Sequence, residues 1–197
     1  RTALLLSDCG EYTLHDVLNM GGTTPEGFWR LGEQLLTIVE ALESTGITHR
    51  DIKPANLGIA VSGGHQHLSL YDFSLSAIDL SHVEAGTPPY RDPFLAAKWD
   101  KRTHFDSSAE RYSAAVVLHQ LATNSTPAYG DGETMPAATD GNLKFEPESL
   151  TAGFTPAQVA ELTTFFRSAL HGHVEKRPKD ATELKELFLA ARRATSA

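Results

Sequence analysis

The sequence predicts an α+β fold that is mainly helical and carries one small β-hairpin. Four segments indicate helices. In each of them a capping residue precedes either apolar residues spaced three and four apart or a continuous apolar run. Two short alternating stretches on either side of a Gly-Gly pair indicate the hairpin. With 197 residues, the chain is long enough to bury a core as one domain or as one lobe of a larger domain.

The composition is that of an ordinary globular protein and argues against several classes of function. Hydrophobic residues make up 41% of the chain and charged residues 21%, which is not a disordered composition. The formal net charge of -8 argues against nucleic-acid binding through bulk electrostatics. A single cysteine excludes an internal disulfide framework, and no apolar run approaches the ~18 residues of a membrane span. We therefore expect a cytoplasmic protein whose partners include neither nucleic acid nor a membrane.

Capping residues mark where each predicted helix begins. Thr24 and Thr155, each followed by proline, begin the first and third helices, and Asp180 begins the fourth. Ser108 is the predicted cap of the second helix, which is apolar on nearly every side and is therefore expected in the middle of the core. Gly46 ends the first helix. The first helix carries one apolar stripe, made of Phe28, Leu31, Leu35, Ile38 and Leu42.

The predicted hairpin lies between the first two helices. Apolar and small residues alternate over residues 57–61, and a second alternating stretch follows the glycine turn. Pairing Val61 with His67 gives a register in which Asn56 lies opposite Asp72, about 5 Å away. An amide oxygen and a carboxylate are ligands that magnesium prefers. The sequence therefore predicts a metal site at the open end of this hairpin.

The stretch 49–56 places two basic residues, an acid and an amide close together. These residues are Arg50, Asp51, Lys53 and Asn56, and a proline fixes the path between them. A solvated surface loop needs no such order, whereas a site that handles phosphate and a divalent metal requires opposite charges at fixed positions. The pattern therefore favours a phosphate- and metal-handling site.

A series of motifs resembles those of protein kinases. "HRDIKPAN" at 49–56 resembles the catalytic loop, "DFS" at 72–74 the metal-binding motif, and "GTPPYRDP" at 86–93 the end of the activation segment. "ERYSAAVVL" at 110–118 resembles the central helix of the large lobe, and "KRP" at 176–178 contains the arginine that braces it. Their order and spacing agree along almost the whole chain. The resemblance implies a protein-kinase-like large lobe.

The resemblance also implies the cofactors, the substrate and the role of each site residue. ATP and Mg²⁺ would be the cofactors, and a protein hydroxyl group would be the substrate. Asp51 would accept or orient the proton of that hydroxyl, and Lys53 would neutralise charge on the transferred phosphoryl group. Asn56 and Asp72 would hold the magnesium ion. Lys53 together with Thr87 resembles serine/threonine kinases more than tyrosine kinases.

Two residues of the catalytic loop keep alternative roles at this point. The family role of Arg50 is to receive a phosphate on the activation segment, residues 72–94, and its alternative is to pair with a carboxylate. Ser76 and Ser81 are the candidate positions of that phosphate. His49 is expected to be a packed, hydrogen-bonded core histidine rather than a catalyst.

Three departures from the family pattern change the surroundings of the site and remove no group that performs chemistry. Ser74 stands where glycine is usual, which makes the backbone less free to change conformation. Glu110 replaces an aspartate of the central helix and keeps its carboxyl group. Phe94 stands where a glutamate normally pairs with the arginine represented here by Arg177, and Asp92 is the predicted substitute for that glutamate.

The N-terminal stretch "ALLLSDCGEYTLHDVL" resembles the last strand of a kinase small lobe, the hinge and the helix that follows. By that resemblance residues 1–18 form the hinge and following segment, and residues 19–197 form the large lobe. Ser7 and Cys9 would then lie where backbone groups bind the adenine of ATP. The sequence contains neither a Gly-rich phosphate loop nor a strand lysine with a helix glutamate. We therefore expect the small lobe to be absent from this chain and to be its partner within the same polypeptide.

Three functions remain open on the sequence alone. The chain is the large lobe of an active serine/threonine kinase, a pseudokinase-like interaction or regulatory module, or a fragment that binds a partner where the small lobe would dock. We favour the first, because pseudokinases tend to lose the residues that are retained here, and we expect little catalysis from these 197 residues alone. "GTPPYRDPF" and "YGDG" also resemble bacterial kinases of the phage growth limitation and BREX defence type. A generic bacterial signalling kinase is the alternative.

Overall fold

The computed structural model describes residues 10–95, 97, 99–150 and 153–195. The helices within these residues are α1 (Leu14–Asn19), α2 (Pro25–Thr45), α3 (Ser107–Thr123), α4 (Pro156–Ala169) and α5 (Ala181–Arg193). The strands are β1 (Tyr12–Thr13), β2 (Leu57–Ser62), β3 (His65–Leu70), β4 (Ala128–Tyr129) and β5 (Leu143–Lys144). The mainly helical α+β architecture is confirmed. Among the described helices, none combines the length and apolar character that crossing a membrane requires.

Local capping chemistry sets the ends of α2 and α4 as predicted. The hydroxyl of Thr24 accepts a hydrogen bond from the N–H of Gly27 at 3.1 Å, and α2 begins at the next residue after the cap. Gly46 ends α2 in the left-handed region with φ of 68°, where glycine carries no steric penalty. Thr155 forms a capping box with Gln158 at the start of α4. These boundaries therefore follow from short-range sequence signals.

The start of α3 differs from the prediction, because Asp106 and not Ser108 is the N-cap. The Asp106 carboxylate accepts the N–H of Ala109 at 2.9 Å, so Ser108 is already the second residue of the helix. Asp106 also lies 3.3 Å from the Nη1 of Arg102, which fixes its carboxylate next to the helix terminus. A local ion pair between residues four apart therefore accompanies the choice of Asp106 among three adjacent residues that are all able to cap a helix.

Helix α3 lies in the centre of the core, as its apolar sequence predicted. Residues 114–118 have no exposed surface. Helices α2 and α4 both pack against α3, and α5 packs against α2 and α4. Gly32 allows α2 and α5 to approach closely, because a Cβ atom there would lie 2.4 Å from the ring of Phe188. Because α3 is buried and packed by two helices, the side chains at its N-terminal end have fixed positions.

The predicted hairpin is formed by β2 and β3, and β1 pairs with β2 to give an antiparallel sheet of order β1-β2-β3. A separate two-stranded ladder joins β4 and β5. Strand β2 begins at Leu57, directly after the catalytic loop at 49–56, whereas β1 precedes that loop in the sequence. The pairing of β2 with both neighbouring strands therefore orients the residues at the end of the loop.

The register of the hairpin is shifted by one residue from the predicted register. Val61 pairs with Gln66 rather than His67. The turn consists of Gly63 and Gly64, which have φ of 58° and 79°. Two-residue turns with positive φ at both positions are favoured in hairpins, because their twist matches that of the strands. The prediction of an amide directly opposite a carboxylate across this ladder is therefore wrong.

A buried ion pair joins the end of the activation segment to the segment before α5. Arg177 donates to both carboxylate oxygens of Asp92, at 2.6 and 3.1 Å, and Arg102 approaches the same carboxylate at 3.0 Å. Burial alone would raise the pKa of Asp92, but the two guanidinium groups outweigh burial and lower it. Phe94 is fully buried, with its ring centroid 6.0 Å from the guanidinium carbon of Arg177. Asp92 is therefore confirmed as the partner of Arg177.

Replacing the buried acid should strongly destabilise the fold. We expect Asp92→Ala to lower the free energy of unfolding by about 3–5 kcal/mol, because it leaves buried guanidinium groups without their partner. Urea denaturation measures this change. The matched control is Glu84→Ala, which removes an exposed carboxylate 2.8 Å from Arg91 and should cost less than about 1 kcal/mol. Equal losses in the two variants would contradict the importance of the buried pair.

Candidate active site

The catalytic loop lies between α2 and β2 and ends in a 3₁₀ turn at Pro54–Asn56. Arg50 has φ of 71°, a left-handed conformation that non-glycine residues rarely adopt. The activation segment passes close to this point, because a Cβ atom on Gly86 would lie 2.8 Å from the carbonyl oxygen of Arg50. Glycine at position 86, with φ of 112°, therefore allows the two segments to touch.

The carboxyl group of Glu110, at the start of α3, anchors the loop. It accepts the main-chain N–H of His49 at 2.8 Å and that of Arg50 at 3.1 Å. Burial raises the pKa of Glu110 to about 7, although the two N–H groups oppose this shift. The sequence indicated a retained carboxyl group at this position, and the structure shows that it anchors the loop. With its raised pKa, however, this carboxyl group titrates near neutral pH.

The structure brings four of the predicted site residues together around the carboxylate of Asp51. The ammonium group of Lys53 donates to Oδ2 of Asp51 at 2.6 Å, and the hydroxyl of Thr87 donates to Oδ1 at 2.7 Å. Lys53 also donates to the Thr87 hydroxyl at 2.9 Å. The side-chain amide of Asn56 donates to Oδ2 of Asp51 at 3.2 Å and to its main-chain oxygen at 3.0 Å. Residues up to 36 positions apart in the sequence therefore form one hydrogen-bonded cluster.

The surroundings of Asp51 favour its ionised form. Burial raises the pKa of this carboxyl group, but the hydrogen bonds from Lys53, Thr87 and Asn56 outweigh burial and lower the pKa below its ordinary value. The residue is 9% exposed. Asp51 is therefore a carboxylate that can accept a proton or a hydrogen bond from a group placed beside it.

Asn56 and Asp72 lie at the same end of the hairpin without facing each other directly. The main-chain oxygen of Asn56 accepts the N–H of Tyr71 at 3.1 Å, so Asp72 lies one residue beyond this contact. Asp72 is exposed and adopts a left-handed conformation with φ of 65°. Its carboxylate accepts the N–H of Ser74 at 3.4 Å. The metal-binding motif therefore leaves the strand through a tight turn that directs its acid into solvent.

The chemistry of these two side chains fits a magnesium ion that completes its coordination elsewhere. The amide nitrogen of Asn56 is used by Asp51, so its Oδ1 is the atom suited to a cation. Within the part of the chain that the structure describes, no group of three or more histidine, cysteine, aspartate or glutamate residues could hold a metal ion. Magnesium commonly takes one or two protein oxygens together with phosphate oxygens and water. The donor set therefore fits a metal–nucleotide complex.

His49 is a packed and hydrogen-bonded core residue, as predicted. It has no exposed surface, and its Nε2 lies 2.8 Å from the carbonyl oxygen of Tyr71. Its ring meets the ring of Phe73 edge-on, with centroids 4.6 Å apart. Burial lowers the pKa of His49, which favours the neutral imidazole. The residue therefore links the catalytic loop to the metal-binding motif through packing.

The side chain of Arg50 points into the activation segment and binds main-chain oxygens. Its Nη1 donates to the carbonyls of Ile78 and Asp79 at 2.5 and 3.0 Å, and its Nη2 donates to the carbonyl of His82 at 2.6 Å. The residue is only 2% exposed. The hydrogen-bond partners of this guanidinium group are therefore three neutral carbonyls and not the carboxylate considered as an alternative. Phe105, which sequence reasoning did not select, covers the guanidinium group at 5.1 Å.

Two of the predicted cofactor-binding residues cannot be placed in this geometry. Ser7 and Cys9, assigned to the hinge by the sequence, lie outside the described residues. Their assignment stays a prediction. The described part of the site consists of the catalytic loop, the metal-binding motif and the activation segment.

The fold is that of the protein kinase class, and comparison with known proteins agrees. The protein kinase domain family profile matches residues 2–189. The probable kinase PglW of Streptomyces coelicolor is 40% identical over 158 residues, which is 80% of this chain and 10% of that protein. The serine/threonine-protein kinase pkn2 of Myxococcus xanthus is 28% identical over 195 residues, or 94% of this chain and 23% of that protein.

The serine/threonine-protein kinase PkaA of Streptomyces coelicolor is 31% identical over 129 residues, which is 62% of this chain and 23% of that protein. The chain therefore spans less than a quarter of the length of these three relatives. Because the family profile covers far more than half of the chain, the chain belongs to the protein kinase family.

The buried carboxyl group of Glu110 should make stability depend on pH. Its pKa of about 7 in the fold exceeds the ordinary value of 4.5, so the folded state keeps a proton that the unfolded chain releases. The free energy of unfolding should therefore fall as pH rises from about 4.5 to about 7, with a slope of up to about 1.36 kcal/mol per pH unit. Glu110→Gln keeps an oxygen acceptor without this titration and should lose that part of the slope.

Chemical denaturation between pH 4.5 and pH 8 measures the effect as the difference in stability between the unsubstituted protein and Glu110→Gln. Glu161→Gln, on the exposed side of α4, is the matched control and should follow the unsubstituted protein at every pH. The prediction would be contradicted if the free energy of unfolding changed with pH by the same amount in the unsubstituted protein and in Glu110→Gln.

Proposed function

We propose that this chain is the large lobe of a serine/threonine protein kinase that transfers the γ-phosphate of ATP to a protein hydroxyl group. The cluster around Asp51 carries the proposal, because it combines an ionised carboxylate, an ammonium group and an amide within hydrogen-bonding distance. Phosphoryl transfer requires mainly positioning and charge neutralisation, which such groups supply. Membership of the protein kinase family supports the same reaction.

In the proposed mechanism, Asp51 orients the substrate hydroxyl and accepts its proton. The lowered pKa of this carboxyl group keeps it ionised before the reaction. Lys53 neutralises charge on the phosphoryl group, and Thr87 holds both side chains in place. Asn56 and Asp72 are proposed to hold Mg²⁺, which neutralises and orients the phosphate oxygens of ATP when bound. The residues of this chain therefore supply the proton acceptor and the metal ligands.

The specificity for serine and threonine is proposed from Lys53 and Thr87. Both belong to the motif pattern that resembles serine/threonine kinases, and their side chains touch at 2.9 Å. The relatives pkn2 and PkaA are named as serine/threonine-protein kinases. This agreement supports a hydroxyl of serine or threonine in a protein as the substrate.

The proposed domain organisation places the hinge and the segment that follows it at residues 1–18, and the large lobe at residues 19–197. Within the large lobe we assign the catalytic loop to 49–56 and the activation segment to 72–94. Ser7 and Cys9 would meet the adenine, and a small lobe of the same polypeptide would complete the ATP site. On this proposal the protein acts in the cytoplasm, and the 197 residues alone have little or no turnover.

The narrower proposal is that the parent protein is a bacterial defence kinase of the phage growth limitation or BREX type. The probable kinase PglW of Streptomyces coelicolor supports it, at 40% identity over 80% of this chain. The regulatory partners of such a protein would be other components of its defence system. A generic bacterial signalling kinase is the competing proposal.

Removing the proton acceptor should abolish transfer. We expect Asp51→Asn in the full-length parent protein to lower phosphate transfer from labelled ATP by at least about 100-fold, the usual minimum for a lost general base. The matched control is Asp140→Asn, an exposed aspartate, which should retain the parent rate. A parent protein that is folded yet transfers no more phosphate than Asp51→Asn would instead favour a pseudokinase-like interaction module.

Removing the exposed metal ligand should change the magnesium requirement. We expect Asp72→Asn to raise the Mg²⁺ concentration for half-maximal transfer at least ten-fold at fixed ATP, because one charged ligand is lost. Chelation of the metal should abolish transfer by both proteins. Asp131→Asn, another exposed aspartate, is the control. An unchanged magnesium curve for Asp72→Asn would exclude this residue as a ligand.

A further inference from the structure

The activation segment is wrapped around the side chain of Arg50. The guanidinium group binds the carbonyl oxygens of Ile78, Asp79 and His82, at distances between 2.5 and 3.0 Å. Charged donors make stronger hydrogen bonds than neutral donors, and here the acceptors belong to the main chain itself. The path of the segment over these residues is therefore tied to one side chain of the catalytic loop.

The same stretch is held from its other side. The carbonyl oxygen of Leu80 accepts the main-chain N–H of Phe105 at 2.8 Å, and the ring of Phe105 lies 5.1 Å from the guanidinium carbon of Arg50. Further along, Gly86 approaches the carbonyl oxygen of Arg50 so closely that a Cβ atom would lie 2.8 Å from it. Side chain and main chain of one residue therefore both contact the segment.

We propose that Arg50 is a positioning residue that orders the activation segment through main-chain carbonyls, so that the segment needs no phosphate to reach its working path. A phosphate group that paired with both Nη1 and Nη2 of this arginine would have to displace the carbonyls that they already bind, which leaves the buried Nε as the nitrogen without a hydrogen-bond partner among the described residues. The residue is 2% exposed, so no open surface leads to it. The family resemblance implied that Arg50 binds a phosphate group. In this structure it binds main-chain carbonyls of the activation segment instead.

The hydroxyl groups of the segment support the same inference. Ser81 donates its hydroxyl hydrogen to the carboxylate of Asp79 at 2.6 Å, and Ser76 donates to the carbonyl of Phe73 at 2.6 Å. A phosphate on Ser81 would remove that donor and place a charge of about -1.5 to -2 beside an existing carboxylate. Phosphorylation at Ser81 would therefore loosen the segment around Asp79, whose carbonyl is one of the three that Arg50 binds.

The consequence for activity rests on the proposed function. Thr87 lies just after the wrapped stretch, and its hydroxyl donates to the carboxylate of Asp51 at 2.7 Å. Arg50 would therefore act on the reaction only through the segment and Thr87. Its loss should lower kcat for a protein substrate, whereas the KM for ATP should stay within about two-fold, because Arg50 binds the segment at Ile78, Asp79 and His82 and does not bind Asp72, the proposed metal ligand.

Hydrogen exchange of the full-length protein tests the structural part without any need for activity. The protein is co-expressed with a protein phosphatase and shown by intact mass to carry no phosphate. The amides of Ile78, His82 and Ala85, which donate to carbonyls within the segment, should exchange at least ten-fold more slowly than in an unfolded peptide. Arg50→Lys should speed their exchange at least ten-fold, because one ammonium group cannot hold three separated carbonyls.

Arg30→Lys is the matched control, since Arg30 is an exposed arginine that donates to the side chain of Gln66. It should leave exchange in the segment unchanged. Amides that are unprotected without phosphate and become protected after phosphorylation would overturn the proposal. Exchange in Arg50→Lys equal to that of the unsubstituted protein would overturn it as well.

Faster hydrogen exchange of the amides in α3 would reveal that Arg50→Lys disturbs the whole fold. In that case a second pair of variants, at Ser81, tests the proposal. Ser81→Asp should speed exchange of the segment while α3 stays protected, and Ser81→Ala should do neither. A segment that becomes better protected in Ser81→Asp would contradict the proposal, because the added charge would then support the segment.

Transfer assays distinguish this inference from the proposed function. The unphosphorylated protein should form product linearly from the start, and Ser76→Ala and Ser81→Ala should each stay within about two-fold of its rate. A lag that preincubation with ATP removes would overturn the inference while upholding the kinase activity. Absence of transfer in every phosphorylation state would refute the proposed function, and the exchange experiment would still decide the role of Arg50.

Discussion

The arrangement of the site depends on the carboxyl group of Glu110, which reaches from the buried helix α3 to the catalytic loop. Its hydrogen bonds to the N–H groups of His49 and Arg50 hold the loop where Arg50 adopts a left-handed conformation. Such a conformation costs free energy and persists where surrounding contacts determine it. Because α2 and α4 pack against α3, the packing of the core sets the position of the loop.

From this anchored turn, adjacent side chains take different directions and meet the activation segment at two places. Arg50 binds the carbonyls in the middle of the segment, and Asp51 binds the hydroxyl of Thr87 near its end. Gly86 lies between these contacts and allows the chain to pass against the loop. The loop and the segment therefore order each other, and the ionised carboxylate of Asp51 is held in place by both.

The buried pair of Asp92 and Arg177 illustrates how a structural interaction is kept when its sequence position changes. The position at which the family resemblance expects a glutamate holds Phe94, whose ring packs 4.9 Å from that of Tyr129. The acid lies two residues earlier and still binds the arginine through both oxygens. Arg102 adds a second positive charge, so the carboxylate is compensated on two sides without solvent.

The sequence by itself determined the features that short-range chemistry controls. Thr24 and Thr155 cap their helices through N–H groups only three residues away, and the apolar run of α3 predicted its burial. The hairpin was also predictable, and its register could have been, because Gly63 and Gly64 are the residues that a two-residue turn with positive φ requires. The motif residues of the catalytic loop identified the chemistry through their types and spacing.

Tertiary structure alone decided how those residues are used. Arg50 contacts carbonyls at least 28 residues away, and Glu110 contacts a loop 60 residues before it. No local pattern indicates that a carbonyl rather than a charged group will meet a given arginine, or that burial will raise the pKa of one glutamate to about 7. Local hydrogen bonds depend on neighbouring residue types, whereas partners and desolvation depend on which distant segments the packed core brings together.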